Sequence, residues 1–158
     1  MLPHVEGISA LTVNTNHVTA LSVDRRLSLW TQWIALRNGG HENIDDILSP
    51  TLIAHLPRTG TRPARIAGRA DLLAWAASVR FAFLNFELTV EVGPILGVHL
   101  ISGRWTLRGI ARSSGPWGPP GTVVTSSGVD IVRIEAGRVV ELWVNADCVE
   151  AAATADAR

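Results

Sequence analysis

Apolar positions along the chain change their period once. Up to about residue 84 they recur at intervals of three and four; beyond it they alternate. Val23, Leu27, Trp30 and Ile34 predict a helix over 23–38, with Ser22 able to cap its start and Asn38-Gly39-Gly40 to stop it. A short helix at 44–48 follows, with Asn43 as its cap and Pro50 just past its end. Residues 51–56 read as a short strand, and 57–67, holding two prolines, a glycine and three arginines, as a loop. Leu72, Ala76, Val79 and Phe83 share one face of a third helix over 70–84.

The alternating part predicts four long strands over 86–92, 98–110, 122–134 and 138–147. Their connections are Gly93-Pro94, the Gly/Pro/Ser-rich stretch 113–121 and a tight turn at Ala136-Gly137. Helices followed by an antiparallel meander is an α+β order. Residues 1–21 read as a loose leader, 22–148 as one domain and 149–158 as a tail. A chain of 158 residues is one ordinary domain.

Hydrophobic residues at 47% and charged residues at 18% exclude disorder for the bulk of the chain. Fourteen basic residues balance fourteen acidic ones, so no footprint for nucleic acid or an anionic membrane stands out. The apolar runs are too short to span a bilayer, and no secretory signal opens the chain; the cytoplasm is the expected location. All basic residues are arginine, which removes Schiff-base chemistry and a lysine base. Tyrosine is absent too. Cys148 is alone, so neither a disulfide nor a cysteine metal cluster can form, and the histidines lack ligand spacing. No metal and no cofactor are expected.

Three residues are candidates for catalysis. Asp130 interrupts an apolar strand, where a carboxyl could act as acid or base near neutrality. It could equally be a structural acid bonded to backbone or paired with an arginine. Arg104, mid-strand, could polarise a carbonyl, or pair with Asp130 or a glutamate at a sheet interface. Arg108, on the same strand, reads as solvated. His55, at a strand end, titrates near neutrality unaided, or is a satisfied strand-end residue. His99 reads as a surface residue, and His4, His17 and His41 carry no assigned role. Six tryptophans are mostly core, yet indoles also make rigid walls for a flat or polyene ligand. Trp117, among Gly115, Pro116, Gly118 and Pro119, suits a lid or mouth.

Gly68-Arg69-Ala70-Asp71-Leu72, Gly103-Arg104-Trp105, Pro119-Pro120-Gly121 and above all the run from Gly128 through Gly137-Arg138 to Trp143 and Asp147 carry a resemblance. Over about 22–147 the chain resembles the SnoaL-like polyketide cyclases, within the nuclear-transport-factor-2-like (cystatin-like cone) superfamily. The resemblance implies a curved antiparallel sheet wrapped around three helices, a deep apolar pocket and a homodimer joined through the sheet. It implies cofactor-free ring closure, isomerisation or epoxide opening on a hydrophobic small molecule of secondary metabolism. The family's acid/base aspartate falls at Val144 and its histidine at Asp130. For the epoxide-hydrolase group Arg104 matches the arginine, while its two aspartates fall at Thr106 and Val144. The expected catalytic set is Asp130, Arg104 and His55; the expected substrate contacts are Trp33, Trp75, Phe83, Thr106, Trp117 and Val144. Proton transfer by Asp130 and closure by shape alone are both open, with epoxide hydrolysis, dehydration and non-catalytic binding as rivals.

Overall fold

A computed structural model describes residues 21–40, 42–57, 64–147 and 150–151. The leader up to residue 20 and the end of the tail lie outside the described residues. Helix α1 (Val23–Arg37) starts where Ser22 Oγ accepts the Arg25 N–H at 3.2 Å and ends at Asn38, whose N–H bonds to the Ile34 carbonyl. Its buried stripe is Leu29, Trp30, Trp33, Leu36 and Arg37. Val23 and Leu27, expected on that stripe, are 53% and 39% exposed. Two offset stripes compete for the same helix, and the one carrying two indoles buries far more apolar area.

Helix α2 (Ile44–Ile47) leads into β1 (Leu48–His55), and β2 (Arg65–Ala67) pairs antiparallel with its end. The expected loop over 57–67 therefore ends in a strand too short to show a period. Helix α3 (Arg69–Phe81) gives way to β3 (Phe83–Leu96), so Phe83 sits on a strand rather than a helix face. Then come β4 (Leu100–Ala111), β5 (Val123–Glu135), β6 (Arg138–Ala146) and the two-residue β7 (Glu150–Ala151), which pairs with β5. Ala136 and Gly137, at φ 46° and 78°, make the tight β5–β6 turn, matching the twist of the flanking strands.

The main sheet order is β2-β1-β6-β5-β4-β3. β3 to β6 form the expected meander, but β1 joins β6 in parallel, so the sheet is mixed. Covering the β6 edge with an earlier strand is a tertiary choice that local alternation does not encode. Gly93-Pro94 lies inside β3 instead of connecting two strands. β3 is an edge strand, where a missing N–H need not cost a ladder bond.

Along β5, Val124, Ser126, Gly128, Asp130, Val132 and Ile134 are buried and their neighbours are not. These residues, with Gly103, Trp105 and Leu107 of β4 and Leu142 and Val144 of β6, form the inner face, which Trp30, Trp33 and Arg37 of α1 reach. Three glycines make room for aromatic rings on this face. A Cβ at Gly103 would collide with Trp30, at Gly109 with Phe83 and at Gly128 with Trp105. Among the described residues no helix is long and apolar enough to cross a membrane.

Candidate functional site

Asp130 occupies the middle of β5 with no exposed surface. Its Oδ2 accepts the Trp33 Nε1–H at 2.8 Å and an Arg37 Nη1–H at 2.6 Å. Its Oδ1 accepts the Trp105 Nε1–H at 2.7 Å. The Arg37 guanidinium in turn lies 5.1 Å from the ring centroids of Trp75 and Trp105 and 5.7 Å from that of Trp33. One buried ion pair is thus boxed by three indoles, two of which donate to the same carboxylate.

Local sequence builds this box from two directions. Trp33 and Arg37 are one turn apart on α1, so both project from the same helical face. Trp105 stands opposite Gly128 across the β4–β5 ladder, and the missing Cβ lets its ring lie over Gly128. Its N–H then reaches Asp130, the diagonal neighbour. Flat indoles and a planar guanidinium can stack while keeping their edge N–H groups for the carboxylate. Both carboxylate oxygens are engaged by fixed donors, so Asp130 serves as an anchored anion that orients the surrounding rings.

A second aromatic group lies farther along the inner face. The Phe83 ring centroid is 5.2 Å from that of Trp117 and 6.1 Å from that of Phe86. Trp117 is half-buried and packs against the core, so the Gly/Pro loop folds back onto the sheet. Trp33 is fully buried, Trp75 half-buried, and Val144 lies on the inner face opposite Asp130.

The other sequence candidates occupy the opposite face. Gly103 pairs with Asp130, so the next residue, Arg104, projects the other way. There it is 41% exposed and pairs with Asp147 at 3.1 Å and Glu91 at 3.4 Å. The expected pairing of Asp130 with an arginine is made by Arg37 instead. Thr106 shares Arg104's face, where its hydroxyl donates to Glu91 and lies 3.1 Å from Ser127 Oγ. It is therefore not placed to line the inner face with Val144.

His55 stands opposite Trp143 in the β1–β6 ladder, and their rings stack at 5.2 Å with only 5° between planes. Its Nε2 lies 2.8 Å from Glu141 Oε1. The His55 hydrogen bond holds the Glu141 carboxyl below its ordinary 4.5; desolvation opposes this and Arg133, at 2.8 Å, assists. Asp130, Arg104 and His55 thus do not converge on one reaction centre. Arg108 and His99 are exposed; His4, His17, His41 and Cys148 lie outside the described residues.

Arg37 is the residue that sequence reasoning misses, because a helical arginine ordinarily reads as solvated. Its signal is the position one turn after Trp33, on the stripe that also carries Leu29, Trp30 and Leu36. Among the described residues no group of three His, Cys, Asp or Glu side chains is arranged to hold a metal ion.

No family model and no curated protein matches the sequence. Solved structures do match. IdmH, a candidate polyketide cyclase from Streptomyces antibioticus, is 22% identical with a TM-score of 0.61, covering 78% of this chain and 90% of its own. A candidate SnoaL-like polyketide cyclase from Jannaschia sp. is 16% identical with a TM-score of 0.63, covering 78% and 86%. A protein of unknown function with a cystatin-like fold from Xanthomonas campestris is 21% identical with a TM-score of 0.62, covering 77% and 91%. The chain therefore has the cystatin-like fold shared by these structures, as its resemblance to the SnoaL-like polyketide cyclases implies.

Proposed function

We propose that this chain is a ring-closing enzyme of polyketide metabolism. It takes a flexible, hydrophobic intermediate against the inner face of its sheet and closes it by holding it in a reactive shape, without a cofactor. The observation that carries this reading is the state of Asp130: fully buried, with both oxygens bonded to Trp33, Arg37 and Trp105 at 2.6–2.8 Å. A general base needs a lone pair directed at the substrate. Here three donors tie the fully buried carboxylate to its indole walls and to Arg37, while on the opposite face Arg104 serves ion pairs and His55 a hydrogen bond to Glu141.

Fixed walls suit a reaction in which bonds form within one molecule and no proton is transferred. Preorganisation alone supplies up to about 7–11 kcal/mol in favourable intramolecular cases. Trp75, Trp105, Phe83, Trp117 and Val144 are the wall residues of this reading. Epoxide hydrolysis is disfavoured, because the resemblance sets that group's two aspartates at Thr106 and Val144, neither of which is a carboxylate.

The pH–rate profile of the purified enzyme on its intermediate tests the mechanism. A nearly flat profile between pH 5.5 and about 8.5 is expected, since no side chain passes a proton to the substrate. A bell-shaped profile overturns closure by shape. We also propose that the outward face joins two copies; sedimentation should then give twice the 17.0 kDa chain mass, and a monomer would refute the dimer.

A further inference from the structure

Ser126 is the one inner-face polar residue of β5 that the indole box does not use. It is 4% exposed, and its Oγ has no hydrogen-bond partner among the described residues. A buried hydroxyl without a partner costs the desolvation of the group, and alanine would avoid that cost at the same strand position. Its surroundings are specific. On one side along β5 is Gly128, over which the Trp105 ring lies; on the other is Val124, paired with Gly109, over which Phe83 lies. Across the ladder stands Leu107, which is apolar and buried. The hydroxyl therefore sits on the inner face between the indole box and the Phe83–Trp117 pair.

We propose that Ser126 is the polar recognition point for the ligand, donating its O–H to a carbonyl oxygen of a chain held between the two aromatic groups. This deepens the ring-closing reading and rests on its placement of the ligand at the inner face. A ketone oxygen fits the site because it accepts one hydrogen bond and brings no hydrogen of its own. A carboxylate fits poorly, since neither Ser126 nor its immediate strand neighbours carry a positive charge. One such contact would fix the register of an otherwise apolar chain along the walls, which is what closure by shape requires.

The test uses two probes of matched shape, cyclododecanone and methylenecyclododecane, which differ only in C=O against C=CH2. Binding to the full chain is followed by calorimetry, for wild type and Ser126→Ala. Wild type should bind the ketone about three- to tenfold more tightly, the usual net value of one hydrogen bond. Ser126→Ala should lose the ketone preference and bind the hydrocarbon at least as tightly as the ketone, whose carbonyl is then buried unpaired, with unchanged affinity for the hydrocarbon and an unfolding midpoint no lower than wild type. A ketone preference that survives in Ser126→Ala overturns the assignment, as does a clear loss of stability, which would mark Ser126 as a structural residue. Binding of both probes by wild type with no preference refutes Ser126 alone. Failure of wild type to bind either refutes the inner-face ligand site as well.

Discussion

Replacing Arg37 by methionine is the sharpest probe of the indole box. Methionine keeps the length and apolar contact of the arginine stem and removes its charge, its 2.6 Å bond to Asp130 and its stacking with three rings. Asp130 is then left with no exposed surface, two indole N–H donors and no counter-charge. Stripping one partner from a buried ion pair costs about 3–5 kcal/mol, because the remaining charge is uncompensated. That is a large share of a total stability of about 5–15 kcal/mol. At about 2–4 °C per kcal/mol for a chain of this size, the unfolding midpoint should fall by roughly 6–20 °C. Urea unfolding followed by indole fluorescence at neutral pH measures it. Asp130→Leu combined with Arg37→Met should cost at least about 2 kcal/mol less than the sum of the two single changes, since it removes both charges together. The double variant should still fall short of wild type, because the Trp33 and Trp105 N–H groups lose their acceptor. An Arg37→Met protein within about 1 kcal/mol of wild type would refute a tightly coupled buried pair.

Other expectations follow from the packing and from the outward face. Gly128→Ala forces a Cβ into the Trp105 ring and the Asn145 carbonyl, and should destabilise by about 1–3 kcal/mol or more in urea titration. Gly137→Ala, with open space around its Cβ but φ 78°, should cost about 1 kcal/mol through backbone strain alone. Glu141 is held below its ordinary carboxylate value, so its contribution is fully present above pH 4.5 and is lost as pH falls through the lower folded value. Glu141→Gln should therefore lessen the acid-side loss of stability, and identical acid titrations for the two proteins would contradict the His55–Glu141 bond. Arg104→Ala should leave turnover within a few-fold of wild type, because its partners are Glu91 and Asp147 on the face away from Asp130. A loss of about a hundredfold would return Arg104 to the reaction centre.

The elements legible in the sequence are those with a sustained period. The alternation from Val123 to Glu135 marks a half-buried strand, and Asp130 stands out because it breaks an apolar run. β2 is illegible because three residues after a Pro- and Arg-rich stretch carry no period. The parallel seating of β1 against β6 is illegible for a different reason: local pattern names a strand and not its neighbour. For Arg104 the strand is readable and the face is not, until parity is anchored on a residue whose direction is certain. Trp105, buried with its ring over Gly128, supplies that anchor in the fold and turns Arg104 and Thr106 outward, whereas Trp143 faces outward, so a tryptophan in the sequence does not by itself fix parity. Arg37 needs three-dimensional context, since only the meeting of α1 with β4 and β5 shows that its charge has a buried partner.

Ring closure itself is tested most directly by comparative mass spectrometry of metabolites from the host with and without this gene. The expected result is that loss of the gene removes one product and leaves an isomer of identical mass, the uncyclised chain, in its place. A missing and accumulating pair that differ by one water, or a metabolite profile that does not change, would contradict it.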